Sequence, residues 1–179
     1  IETYNGDKRG ASYATTEAVD LRTKSFYTGY KGDELIDYSQ SFMVTDFIGN
    51  RRVKDTTIYT YRLDDVLDYT TTYKSGTMNS KAIPAVMKSR AYYKGAVRGE
   101  ELANYTFNYS GNADAVSTTT IYYYSTAAGL FARAASATAL ANTTDVAMTA
   151  SETYIGDKNA YTYANSVSAA ASSDQIGRA

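Results

Sequence analysis

Residues 35–44, Leu35-Ile36-Asp37-Tyr38-Ser39-Gln40-Ser41-Phe42-Met43-Val44, alternate between apolar and polar side chains. Ile36, Tyr38, Phe42 and Val44 fall on one side and Asp37, Ser39 and Ser41 on the other, and only Gln40 interrupts the apolar row. Successive side chains of an extended backbone point to opposite faces, so a period of two predicts a strand with one face buried. The neighbouring segments have the same character. Ser25-Phe26-Tyr27-Thr28-Gly29-Tyr30 reads as a strand and Lys31-Gly32-Asp33-Glu34 as the turn after it. Residues 54–61 form another strand, with Thr57, Tyr59 and Tyr61 on one side and Thr56, Ile58 and Thr60 on the other. Asp64-Asp65 then turns the chain into residues 66–73.

This order of elements occurs twice. Ala91-Tyr92-Tyr93 answers Ser25-Phe26-Tyr27, and Gly99-Glu100-Glu101-Leu102 answers Gly32-Asp33-Glu34-Leu35. Ala103, Tyr105, Phe107 and Tyr109 take the face held earlier by Ile36, Tyr38, Gln40 and Phe42. Thr119-Thr120-Ile121-Tyr122-Tyr123-Tyr124 answers Thr56-Thr57-Ile58-Tyr59-Thr60-Tyr61, so the offsets are 66, 67 and 63 residues. A motif marks the start of each unit: Glu2-Thr3-Tyr4-Asn5-Gly6-Asp7-Lys8 recurs as Glu152-Thr153-Tyr154-Ile155-Gly156-Asp157-Lys158, identical at six of seven positions. Thr72-Tyr73-Lys74-Ser75-Gly76 is a shorter echo between them. The expectation is an all-β fold of two similar antiparallel units of a tandem repeat, arranged as a sandwich or a β-solenoid. The units span residues 1–72 and 73–151, and residues 152–179 begin an incomplete third unit or form an assembly tail. Residues 80–90, which include the lone Pro84, read as a loop or one helical turn. Residues 127–141 are alanine-rich, with Leu130, Phe131, Ala134 and Leu140 near helical spacing, and predict a short helix or an inserted small-residue loop.

Composition narrows the function classes. The chain has 179 residues, a net charge of −1 and 18 scattered basic residues, whereas a nucleic-acid binder needs a concentrated cationic footprint. No run of 18 apolar residues is present, so no segment is expected to span a membrane as a helix. The absence of cysteine leaves the redox compartment undetermined, and the absence of histidine removes the commonest general base and metal ligand. The aromatic content is 19 Tyr and 5 Phe, which suits half-wet β surfaces where a ring packs and a hydroxyl stays hydrated. A start at Ile1 without an initiator methionine is read as processing or as a section of something larger.

Thr57-Ile58-Tyr59-Thr60-Tyr61 followed by Leu63-Asp64-Asp65-Val66-Leu67 resembles the tyrosine–aspartate repeat of bacterial Rhs-type surface and secreted proteins, roughly Thr-x-Tyr-x-Tyr-Asp-x-x-Gly-x-Leu. The second copy keeps Tyr122, Tyr124, Gly129 and Leu130. Arg62 and Ser125 stand where that pattern has aspartate, and the period here is longer. The resemblance implies a bacterial, secreted, β-rich protein and carries over no functional residues.

Chemistry-bearing groups are sparse. The acid pairs Asp33-Glu34, Asp64-Asp65 and Glu100-Glu101 sit in turns, where adjacent side chains diverge instead of flanking a substrate. Asp64, Asp65 and Asp68 lack the glycine and distal glutamate of a calcium loop. No enzyme activity, catalytic residue, metal or cofactor is therefore expected. Asn104, Asn108 and Asn142 each open an Asn-x-Ser/Thr sequon, and alternation puts Asn104 and Asn108 on the wet face opposite Tyr105, Phe107 and Tyr109. The expected function is a structural subunit of an extracellular filament or surface fibre, a glycoprotein that polymerises with copies of itself by head-to-tail strand association. Its docking elements are residues 1–13 and 152–165, with Thr3, Tyr4, Tyr13, Thr153, Tyr154, Tyr161 and Tyr163 as the assembly residues. The alternative is a carbohydrate-binding or adhesive module that stacks sugars on exposed tyrosine rows such as Tyr122 and Tyr124.

Overall fold

The computed structural model describes residues 2–4, 21–44, 51–111, 115–125, 131–134, 146–161 and 175–178. Every regular element among them is a β-strand and every strand pairing is antiparallel, so the fold is all-β. The chain forms two compact units, Ile1–Tyr59 with Thr71–Met87, and Thr60–Thr70 with Lys88–Ala179.

In the first unit β1 (Glu2–Tyr4) pairs with β2 (Leu21–Thr28), β2 with β3 (Leu35–Val44), and β3 with β4 (Arg51–Tyr61). β5 (Leu67–Lys74) belongs to this unit from Thr71 onward. The alternation of residues 35–44 appears directly in their burial, with Tyr38, Gln40 and Phe42 buried and their neighbours less so. Leu21, Phe42 and Val53 form the apolar centre of this unit. Gln40 is 1% exposed, so it continues the buried row as a polar member of it. Its amide nitrogen donates to the Thr77 carbonyl at 2.9 Å and the Ser80 carbonyl at 3.2 Å, and its oxygen accepts from the Asn79 backbone N–H at 2.9 Å. One side chain thus satisfies a turn that lies over the sheet, which is how a buried amide avoids its desolvation penalty.

In the second unit β6 (Met87–Lys94), β7 (Leu102–Tyr109), β8 (Val116–Ser125), β10 (Met148–Ile155) and β11 (Gln175–Arg178) pair in that order. β9 (Phe131–Arg133) lies on β8, with Tyr123 opposite Arg133. Tyr123 and Tyr124 meet β10 on their other edge, so β9 occupies the stretch of β8 beyond Tyr105, where β7 has left it. Ile121, Tyr123 and Tyr154 form the core here, with Tyr105, Ala150 and Tyr161 packed against them. Residues 131–133 are therefore strand, a correction to the helical reading. The ladder groups of β8 pair with the backbone of this stretch, whereas a short isolated alanine-rich helix is marginal because its nucleation is costly. Most of 127–141 lies outside the described residues. Residues 80–86 are irregular and β6 begins at Met87, so that stretch is a loop.

Among the described residues each unit taken alone is an open antiparallel layer, not closed into a barrel. The loop after β5 lies close over the buried face of the first unit: a Cβ on Gly76 would lie 2.2 Å from the Thr56 hydroxyl and 3.4 Å from Val53.

Candidate functional site

The likeness between the two units extends to individual hydrogen bonds. Phe26 stands opposite Tyr38 and stacks on it at 4.2 Å between ring centres, and Tyr92 stands opposite Tyr105 and stacks at 4.6 Å. In the turns, the Gly32 N–H donates to Glu34 at 3.0 Å and the Gly99 N–H donates to Glu101 at 3.0 Å. Both glycines have positive φ, 97° and 85°, the region where a side chain is strained. The acid pairs are thus spent on turn geometry. Glu101 also accepts from the Leu67 N–H at 2.9 Å, and Asp64 lies 3.5 Å from Arg62 within its own turn. Among the described residues no three Asp or Glu side chains converge as a metal site would need.

The strands that end on the repeated motif are matched most closely. The Thr57 and Thr72 hydroxyls lie 3.0 Å apart, and so do those of Thr120 and Thr153. The Ser75 N–H donates to the Lys54 carbonyl at 2.8 Å, and the Gly156 N–H to the Ser117 carbonyl at 2.8 Å. The buried Thr56 hydroxyl donates to the Ser75 carbonyl at 2.9 Å, and the buried Thr119 hydroxyl to the Gly156 carbonyl at 2.6 Å. Ser75 and Gly156 share a left-handed backbone, φ 66° and 73°. β5 and β10 are therefore the same element, leaving the sheet through the same turn.

β1 is a third instance by register. Glu2, Thr3 and Tyr4 face Lys24, Thr23 and Leu21, with a shift between Thr3 and Tyr4. Glu152, Thr153 and Tyr154 face Arg178, Gly177 and Gln175, with a shift between Thr153 and Tyr154. Assembly candidates Thr3 and Tyr4 thus lie in β1, and Thr153 and Tyr154 in β10. Tyr161 packs on Tyr154, with ring centres 5.0 Å apart. Tyr13 and Tyr163 lie outside the described residues.

Between β8 and β10 sits a buried polar cluster. Glu152 and Tyr154 are fully buried, and the Tyr154 hydroxyl donates to Glu152 at 2.6 Å. Burial, then the neighbouring Glu152 carboxylate, raises the pKa of the fully buried Tyr123. Burial also pushes Tyr124 up to about 12, and its hydroxyl donates to the Ala103 carbonyl at 2.7 Å. Arg133, whose pKa burial lowers, spans the cluster and the motif loop. It donates to Asn104 Oδ1 at 3.1 Å, to the Tyr161 carbonyl at 2.9 Å and to the Asn159 carbonyl, and its guanidinium lies 5.6 Å from the Tyr105 ring centre. Sequence reasoning missed Arg133. The available signal was a lone charge in the alanine-rich stretch 127–141, where an unpaired cation would be out of place in a packed helix face.

Asn104 and Asn108 do not share a wet face. Asn104 is 3% exposed, because a register shift leaves it as the extra residue of a β-bulge between Tyr105, opposite Tyr92, and Ala103, opposite Tyr93. A bulge re-aims the extra side chain, here toward Arg133. The first unit has the same bulge at Asp37, which pairs with Lys81 Nζ. In the folded chain the Asn104 side chain is buried with its oxygen held by Arg133. Asn108 is half-buried and donates to the Thr118 hydroxyl at 3.1 Å, and Asn142 lies outside the described residues.

Among the described residues no helix is long and apolar enough to cross a membrane. Comparisons with protein-family models, with curated proteins and with solved structures return no match.

Proposed function

We propose that the chain is a structural β-repeat module, a subunit of a filament or surface fibre outside the cell that grows by head-to-tail pairing of edge strands. The observation that carries this reading is the recurrence of one hydrogen-bonded arrangement: the threonine pair at 3.0 Å and the left-handed turn behind it, at both β4–β5 and β8–β10. A sequence that reproduces the same strand junction can stack copies without new interface chemistry, as repeat arrays do. Buried polar groups here are committed to holding turns on the sheet: Gln40, Thr56, Thr119 and Arg133 all bond loop carbonyls. The extracellular setting rests on the Tyr- and Thr-rich, cysteine-free composition and on the resemblance to secreted tyrosine–aspartate repeats.

At Tyr122 and Tyr124 the sugar-stacking alternative gains little from ring exposure. Tyr124 is buried, and the half-buried Tyr122 has its hydroxyl 3.2 Å from that of Thr106. Electron microscopy and sedimentation of the full chain over a concentration series test the structural reading. Filaments or growing oligomers are expected, and monodisperse monomers at every concentration would overturn it.

A further inference from the structure

Resting on the reading of a self-associating module, we propose that β1 of one copy takes the place of β10 on β8 of a second copy. The register would be that of β10 itself, with Glu2 opposite Ile121, Thr3 opposite Thr120 and Tyr4 opposite Thr119. Three observations lead there. β10 is held on both edges, by β8 and by β11, whereas β1 has β2 as its one strand partner among the described residues. An edge strand of this kind presents unpaired backbone groups that favour addition of another strand. β1 and β10 carry the same Glu-Thr-Tyr triplet, and each meets its following strand with the same shift after the threonine.

The residue types that β8 demands of its partner are the ones β1 carries. Glu152 is buried opposite Ile121, Thr153 meets the Thr120 hydroxyl, and Tyr154 closes on Glu152. Behind the strand, the Lys158 N–H donates to the Thr119 hydroxyl at 3.0 Å, and Gly156 holds φ 73°. Gly6, Asp7 and Lys8 repeat Gly156, Asp157 and Lys158. The single mismatch in seven, Asn5 for Ile155, falls where the side chain is 52% exposed and contributes little to the seat. Over the Glu-Thr-Tyr triplet the exchanged strand would repeat the residue pairs that β10 makes with β8, and exchange of like elements between copies is a low-cost route to association. A tethered β10 competes at an effective concentration on the order of millimolar, so exchange is favoured by high protein concentration and by anything that loosens β10.

The chain has no cysteine, which makes disulfide trapping unambiguous. Full chains carrying Thr120→Cys and Thr153→Cys together are compared oxidised and reduced by sedimentation. The oxidised protein, with β10 tied to β8, should remain monomeric at concentrations where the reduced protein associates. In a second measurement, Thr3→Cys chains are mixed with Thr120→Cys chains and mildly oxidised. The mixed disulfide should exceed that from Thr3→Cys with Thr118→Cys by about ten-fold or more, since a buried face fixes strand register. Association that survives the oxidised lock, or cross-linking without register preference, overturns the exchange while leaving the filament reading intact. A chain that stays monomeric at every concentration overturns both.

Discussion

Ser75 and Gly156 occupy one structural position with two residue types, and the difference is measurable. Both hold φ near 70° while donating to a strand carbonyl at 2.8 Å. An L side chain pays about 1 kcal/mol to stay left-handed, and glycine does not. Ser75→Gly should therefore raise stability by about 0.5–1 kcal/mol, less whatever glycine gains in unfolded-state entropy, and Gly156→Ser should lower it by a similar amount. Urea midpoints at constant slope check both. Gln40 gives a larger effect of opposite sign. Gln40→Leu leaves the Asn79 N–H and the Thr77 and Ser80 carbonyls without their partner beneath the turn, a loss of about 1–3 kcal/mol. The natural comparison is Phe107, which holds the corresponding position opposite Thr119 as Gln40 does opposite Thr56. A larger apolar residue at 40 that restored stability would show that packing, not the amide, sets the turn.

Arg133 couples three elements, joining β9 to the bulge of β7 and to the loop after β10. Arg133→Met keeps much of the packing volume and removes the donors, so the loop should loosen before the sheet does. Amide exchange is expected to accelerate at Lys158 and Tyr161, whose N–H groups bond Thr119 and the Lys158 carbonyl, and to stay slow within the β6–β7 pairing. Acceleration spread evenly over both would contradict a local role. The strands, the paired turns and the repeat were legible in the sequence because each rests on local signals: period two, a glycine before an acid pair, and a recurring heptad. The Phe26–Tyr38 and Tyr92–Tyr105 stacks follow from that register. Asn104 was misplaced because alternation carries no mark of a bulge, and one inserted residue exchanges the faces of everything counted across it. The roles of Gln40 and Arg133 were hidden for another reason. Their partners lie 37–40 and 26–29 residues away, distances over which a pattern read along the chain is blind.

The tyrosine-rich core gives the whole molecule a characteristic alkaline weakness. Burial is the first cause raising Tyr38, Tyr105, Tyr123 and Tyr124 above the ordinary phenol value near 10. Asp37 adds to it for Tyr38, and Glu152 for Tyr123. A phenol is neutral when protonated, so a raised folded-state pKa means that the native chain keeps protons the unfolded chain has already released. Below about pH 10 both states are protonated and the contribution to stability is complete. Above it the unfolded state binds fewer protons, and stability falls with rising pH, continuing through the Tyr124 value of about 12. The slope approaches about 1.4 kcal/mol per pH unit for each buried tyrosine still protonated only in the fold. Urea midpoints should thus be nearly flat from pH 7 to 9 and drop steeply between about 10 and 12. Tyr123→Phe removes the most strongly shifted phenol and retains the ring in its core. Its midpoint should change little at pH 8, where the hydroxyl's contact with Glu152 is the main loss, and should fall less steeply than that of the parent chain above pH 10. Parallel alkaline slopes for the two proteins would mean that Tyr123 titrates no later in the folded chain than in the unfolded one.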